Sequence, residues 1–239
     1  MSQIDEQDGP PKGGADIKRY AIDIESLKLA DEVGGWINKH KMGTAVLCAI
    51  DLDTEVEYVF SDDYMGANPL NKLYEFLNGN IIIGYNIKCF DLRLIQEELM
   101  KGGIPMSDFK IGMVDISRKR ISLGSMTTAM FDDAKMMDGA DAPKEWKKGG
   151  KARDKVVEYC MDDVKKTIAV LRHGLATGYI FYYDSKGDKK RLDVDWKKLL
   201  DESKPISLEP DCLGGYKKAK KSWQCSRCPF KRECIGISR

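Results

Sequence analysis

Acidic side chains in three short segments set the chemistry open to this chain. Asp23 and Glu25 stand in YAIDIES, Asp91 in GYNIKCFDLRLI, and Asp163 in VVEYCMDDVKKT, four residues after Tyr159. Residues two apart on a strand face the same side, so Asp23 and Glu25 project together. Two carboxylates on a buried strand repel each other unless a cation holds them. Oxygen ligands of this kind suit Mg²⁺ or Mn²⁺. Asp91 follows the apolar run IIIGYN at the start of a helix, where a side chain reaches over a sheet end. Tyr159 and Asp163, four apart on a helix, share a face, and Asp162 points elsewhere. Four carboxylates can hold two ions about 4 Å apart: one lowers the pKa of an attacking water, the other stabilises the leaving 3′ oxygen of a phosphodiester. Tyr159 would orient or deprotonate that water. Asn86 and Phe90 would wall the site, with Phe90 against a terminal base or sugar.

Taken singly, each segment has an ordinary reading. A D-x-E is usually a strand edge, an Asn-x-x-x-Phe-Asp a helix cap, and a Tyr-x-x-x-Asp a solvated helix face. Their weight comes from three in order, each on an element that can aim it inward. KRYAIDIES predicts a strand. GTAVLCAIDLD and TEVEYVFS predict two more, turning at Asp53–Thr54. NPLNKLYEFLN predicts a helix capped by Asn68, with Pro69 in its first turn. NIIIGYN reads as a buried strand, CFDLRLIQEELMKGG as an amphipathic helix closed by Gly102–Gly103, and FKIGMVDIS as a fifth strand. SLGSMTTAMF predicts a short helix, Asp132 to Gly150 a loop, and Ala152 to Gly174 a long helix. YIFYYDSKGDKKRLDVDW alternates around a turn and predicts a β-hairpin. Strands, then strand and helix, then a long helix imply an α/β fold with a mixed sheet flanked by helices.

The 239 residues carry a formal net charge of +1. From Cys212 to Arg239 there are eight Lys or Arg and one Glu, a net +7 that leaves −6 for the rest. An acidic body with a basic tail fits a metal site joined to a nucleic-acid clamp, although a merely solvated tail would look the same. No stretch is long and apolar enough to span a membrane. MSQIDEQDGPPKGGAD lacks the basic-then-apolar order of an export signal and reads as a disordered lead-in over 1–16. The seven cysteines are therefore expected as thiols or metal ligands in a cytoplasmic protein, of a prokaryotic cell or a virus-infected host. Cys48, Cys89 and Cys160 read as core thiols, the Cys160 side chain turned away from the site. His173, near a helix end, reads as a C-terminal charge.

The three segments together resemble the DEDD exonuclease superfamily (DnaQ-like, ribonuclease H-like fold). DIE, YNIKCFD and YCMDDV match its motifs. The tyrosine subclass has Tyr four residues before the last Asp, here Tyr159; the histidine subclass needs His one residue earlier, where Glu158 stands. The match covers Lys18 to Leu175, within an exonuclease domain expected over 17–210 that also takes in the hairpin and a helix. The resemblance implies a ribonuclease H-like fold and a 3′–5′ exonuclease releasing nucleoside monophosphates. Asp23, Glu25, Asp91 and Asp163 would hold two Mg²⁺ or Mn²⁺ ions.

The segment 211–239 adds C-x12-C-x2-C-x5-C at Cys212, Cys225, Cys228 and Cys234, spacing that predicts a four-cysteine metal-binding appendage. Its WQCSRCPFKREC is similar to the C-terminal cysteine cluster of RecB-like nucleases, which hold a [4Fe–4S] cluster. The first cysteine of those proteins lies far upstream, before a different core, so Zn²⁺ stands beside [4Fe–4S] as a reading. Lys217, Lys218 and Trp223 are candidate contacts to single-stranded nucleic acid: charge for phosphates, a ring for a base. The expected substrate is the 3′ end of single-stranded DNA, alone or within a larger replication or recombination complex. The alternatives are an exoribonuclease with the same site and a non-catalytic nucleic-acid-binding module.

Overall fold

The computed structural model describes residues 16–118, 121–133 and 136–207. Its central strand, β1 (Arg19–Ser26), is buried on both faces. Tyr20, Ile22 and Ile24 enter one core cluster, and Ala21 enters another on the opposite face. β2 (Thr44–Asp51) runs antiparallel to β1 and divides the same way, Leu47 and Ala49 against Val46, Cys48 and Ile50. β3 (Glu57–Phe60) pairs antiparallel on its far side. On the other edge of β1, β4 (Ile81–Gly84) runs parallel, and β5 (Lys110–Asp115) parallel to β4. The short β8 (Ile206–Ser207) closes that edge antiparallel to β5. The sheet is thus a mixed six-stranded one, ordered β3-β2-β1-β4-β5-β8.

Helices cover both faces. α1 (Leu73–Leu77) and α2 (Asp91–Lys101) pack on the face of Tyr20, Ile22 and Ile24. The opposite face is covered by α4 (Ala142–Lys148) and the long α5 (Lys151–Thr177), through Trp146, Val156, Cys160 and Val164. A third cluster gathers Ile83 and Val114 of the sheet, Met126 of α3 (Leu123–Phe131), Leu171 of α5 and Trp196 of α6 (Trp196–Glu202). A separate hairpin, β6 (Tyr179–Tyr183) and β7 (Lys189–Asp193), adds Ile180 to it. The α/β sheet flanked by helices agrees with the expected ribonuclease H-like arrangement.

The structure corrects several local readings. The segment 132–150 is not all loop: α4 occupies its second half, with Pro143 in the first turn and Trp146 buried beneath it. Asn68 caps no helix. It forms an isolated parallel bridge with Phe60, and the chain enters a 3-10 turn, Leu70–Lys72, before α1. Two 3-10 segments, Asp31–Val33 and Trp36–Met42, fill the connection between β1 and β2. Cys48 and Cys160 are buried, as expected, but Cys89 is exposed, because it lies in the loop after β4 and not in a packed element. His173, in the last two turns of α5, is flanked by the rings of Phe131 and Tyr179. Residues 1–15 of the expected lead-in and the whole four-cysteine segment, with Lys217, Lys218, Trp223, Cys212, Cys225, Cys228 and Cys234, lie outside the described residues. No helix among the described residues is long and apolar enough to cross a membrane.

Candidate metal centre

Three elements bring carboxylates to one point. Pairing between β1 and β4 runs from Arg19 to Ala21, and Gly84 ends β4. A side chain at Gly84 would press within 3.0 Å of Ile87 and 3.2 Å of the Ile22 carbonyl. Glycine thus lets the chain turn close beside β1. The turn leaves the second half of β1 open on that edge. Asp91, first residue of α2, fills the opening and accepts a hydrogen bond from the Ile24 N–H, as well as from its own. Asp23 and Glu25 lie on the face of β1 covered by α5, where they meet Asp163, and the register slips between Glu25 and Ser26. A bulge at a strand end commonly re-aims a side chain next to a site.

Ligand oxygens of Asp23, Glu25 and Asp163 lie within 4.8 Å of one another, the one such group among the described residues. Asp91 stands just outside that triad but close enough to act on Asp23. Burial, then the charges of Asp91, Glu25 and Asp163, push the Asp23 carboxyl well above the usual carboxylate range. Burial, reinforced by Asp115 and opposed by the backbone N–H bonds, raises Asp91 to about 7. Tyr159 is buried on α5, its hydroxyl bonded to Asp163. Burial and the neighbouring carboxylates push that phenol far up, so it stays a neutral donor. Asp162 turns to Lys166 instead, 2.7 Å away, as expected. The Cys160 thiol, on α5 against the same face of β1, donates to the Asp23 carbonyl at 3.3 Å. Contrary to expectation its side chain is not turned away from the site: it braces the strand that carries Asp23, and burial, then Cys48 and the charges of Asp23 and Glu25, push the thiol well above the usual range.

An all-oxygen set of converging carboxylates fits a hard divalent cation, which would offset the burial and repulsion that raise these pKa values. Asn86 and Phe90 lie in the turn between β4 and α2 that leads to Asp91, Phe90 just ahead of the helix that the sequence predicted from Cys89. Asn86 takes a left-handed φ of 62°, uncommon for a non-glycine residue. The Asp115 carboxylate fixes it, accepting from the N–H groups of Asn86 and Lys88 at 3.2 Å and of Ser117 at 2.9 Å. Sequence reasoning passed over Asp115. Its signal was an acid at the end of a strand running parallel to β4, level with that strand's end. Trp36 was passed over as well. It stacks on Phe90 with centroids 5.5 Å apart and rings 7° from parallel, while 55% exposed. The Lys39 ammonium sits 5.4 Å from the Trp36 ring centre.

The sequence matches no protein-family model and no curated protein. Among solved structures, the chain is similar to the family B DNA polymerase from the hyperthermophilic archaeon Pyrobaculum calidifontis. That likeness has a TM-score of 0.52 at 18% identity, over 72% of this chain and 25% of the polymerase. The chain also aligns with E. coli ExoI, in the zinc-ion-bound form of its complex with single-stranded DNA. There the TM-score is 0.36 at 15% identity, over 67% of this chain and 40% of that one. The chain therefore spans about a quarter of the polymerase's length, and what the two share is the fold.

Proposed function

We propose that this chain is a metal-dependent 3′–5′ exonuclease that removes nucleoside monophosphates from single-stranded DNA. The observation carrying this reading is the meeting of Asp23 and Glu25 from β1 with Asp163 from α5 inside 4.8 Å. Asp91 adjoins them from a third element, each acid coming from a motif that resembles the DEDD tyrosine subclass. These four carboxylates would hold two Mg²⁺ or Mn²⁺ ions, which when bound supply an activated water and charge stabilisation for the leaving oxygen. The Tyr159 hydroxyl, kept protonated by its surroundings, is a donor. It therefore suits orienting a water better than deprotonating one. Phe90, one residue before Asp91 and backed by Trp36, gives the terminal nucleotide an apolar wall. The short, Asp115-tied loop holds that wall in register with the carboxylate.

The test is digestion of 5′-labelled single-stranded DNA and RNA of one sequence with Mn²⁺, beside Asp23→Ala. The expected result is a ladder shortening from the 3′ end, faster on DNA. Asp23→Ala should lose more than the roughly 10–100-fold that follows removal of a residue merely bonded to a ligand. A folded protein that yields no ladder with either polymer would overturn the catalytic reading and favour a binding module.

A further inference from the structure

The hairpin β6–β7 carries a surface that the metal centre does not use. Directly paired residues share a face, so Tyr179, Phe181 and Tyr183 of β6 stand on one side with Asp193, Arg191 and Lys189 of β7. The other side, with Ile180, Tyr182 and Leu192, packs into the third core cluster. The outward rings form a line. Phe131 meets His173 edge-on at 6.1 Å, His173 meets Tyr179 at 5.8 Å, and Tyr179 meets Phe181 at 5.4 Å. Phe131 is 42% exposed and Tyr183 39%. Cations ride on the rings: the Arg191 guanidinium 4.0 Å from the Tyr179 centre, and the Lys189 ammonium 5.0 Å from that of Phe181. Arg191 is also tied to Asp193 at 3.0 Å. A surface built only to shed water needs no aromatic side chains. One built only for solubility needs no ladder of rings with cations over two of them.

We propose that this face is a binding track for single-stranded nucleic acid, distinct from the metal centre. Rings in series with interleaved cations are what an unpaired strand asks of a surface: a face for each base and a charge for each phosphate. The placement fits a strand whose end lies in the metal centre. His173 is ten residues beyond Asp163 on α5, which at 1.5 Å per residue is about 15 Å along the same helix. The track would hold the strand behind the end being cut. The ligand's identity rests on the exonuclease reading; the surface itself does not.

The experiment separates the two. In the Asp23→Asn background, with EDTA to prevent cutting, anisotropy measures binding of a labelled single-stranded 20-mer, as DNA and as RNA. Phe181→Ala with Tyr183→Ala, and separately Lys189→Gln with Arg191→Gln, should each weaken binding about tenfold. The charge pair should also flatten the salt dependence. With the native Asp23 restored, Mn²⁺-dependent cleavage of a dinucleotide, too short to reach the hairpin, should keep its rate in both variants. Unchanged 20-mer affinity in folded variants, checked by thermal melting, overturns the proposal and leaves the face to a protein partner. Equal loss on the dinucleotide overturns it too, since the hairpin would then be acting through the metal centre. Hairpin-dependent binding by a protein that cuts nothing would support the track and sink the exonuclease reading alone.

Discussion

Asp23 and Asp91 are held in surroundings that oppose their charge, and this makes the stability of the metal-free protein depend on pH. Both carboxyls titrate higher in the folded chain than in the unfolded one, Asp91 at about 7 against an ordinary 3.8. Below the ordinary value both states are protonated and nothing is lost. Between that value and about 7 the unfolded chain gives up the proton and the folded one keeps it. The stabilisation present at low pH is therefore lost as pH rises through this window. Thermal melting in EDTA should show a Tm falling from pH 5 to pH 8, with Mn²⁺ restoring most of it at pH 8. Asp23→Asn should raise the metal-free Tm at pH 8 and abolish the Mn²⁺ effect. A metal-free Tm that rises across that range would show that these carboxyls are not penalised as described. At this scale the sequence was informative where spacing alone dictates direction. Two-residue spacing put Asp23 and Glu25 on one face, and four-residue spacing did the same for Tyr159 and Asp163. It was silent on Asp115, whose role depends on three backbone N–H groups that only the folded loop brings together.

Among the elements, those with a long or fully buried pattern were legible: β1, β2, β4 and α2 fall within the segments their pattern marks, and α5 overruns its segment, Ala152 to Gly174, by one residue at the start and three at the end. α4 was not, because seven residues give barely two turns and only Ala142, Pro143 and Trp146 of them are buried, too few to show a period. β8 was not, because a two-residue strand is defined by its neighbour β5 and not by itself. The contact of α5 with α6 shows how tightly these elements are set. Gly174 of α5 faces the wholly buried Trp196 so closely that a methyl group would overlap the indole ring and press on Val194. Helix propensity alone would make Gly174→Ala stabilising by up to ~1 kcal/mol. Overpacking costs about 1–3 kcal/mol, and a ring buried on all sides has nowhere to turn. The net effect should be destabilising, a Tm lower by several degrees at about 2–4 °C per kcal/mol. A higher Tm would mean that α6 slides freely on α5.

Across the whole molecule, the charge is divided in a way that single sites do not explain. The net +7 of residues 212–239 is set against −6 for the remainder. An acidic body repels a polyanion at long range, and the carboxylates of the metal centre add to that repulsion until cations are bound. Local cations on the hairpin can hold a strand but cannot reverse the sign of the field around the body. For the nuclease proposed above, something else must draw the strand in, and the basic tail is the part of the chain with the charge to do it. Neutralising Lys217 and Lys218 together should then act on salt dependence more than on chemistry. If each pairs with one phosphate, the slope of log K against log salt for single-stranded DNA should become shallower by about 1.4. Binding titrations of the Lys217→Gln, Lys218→Gln variant across a several-fold range of salt measure this directly, with dinucleotide cleavage expected to hold its rate. An unchanged slope would assign strand capture to the body and leave the tail's lysines as solvated charge.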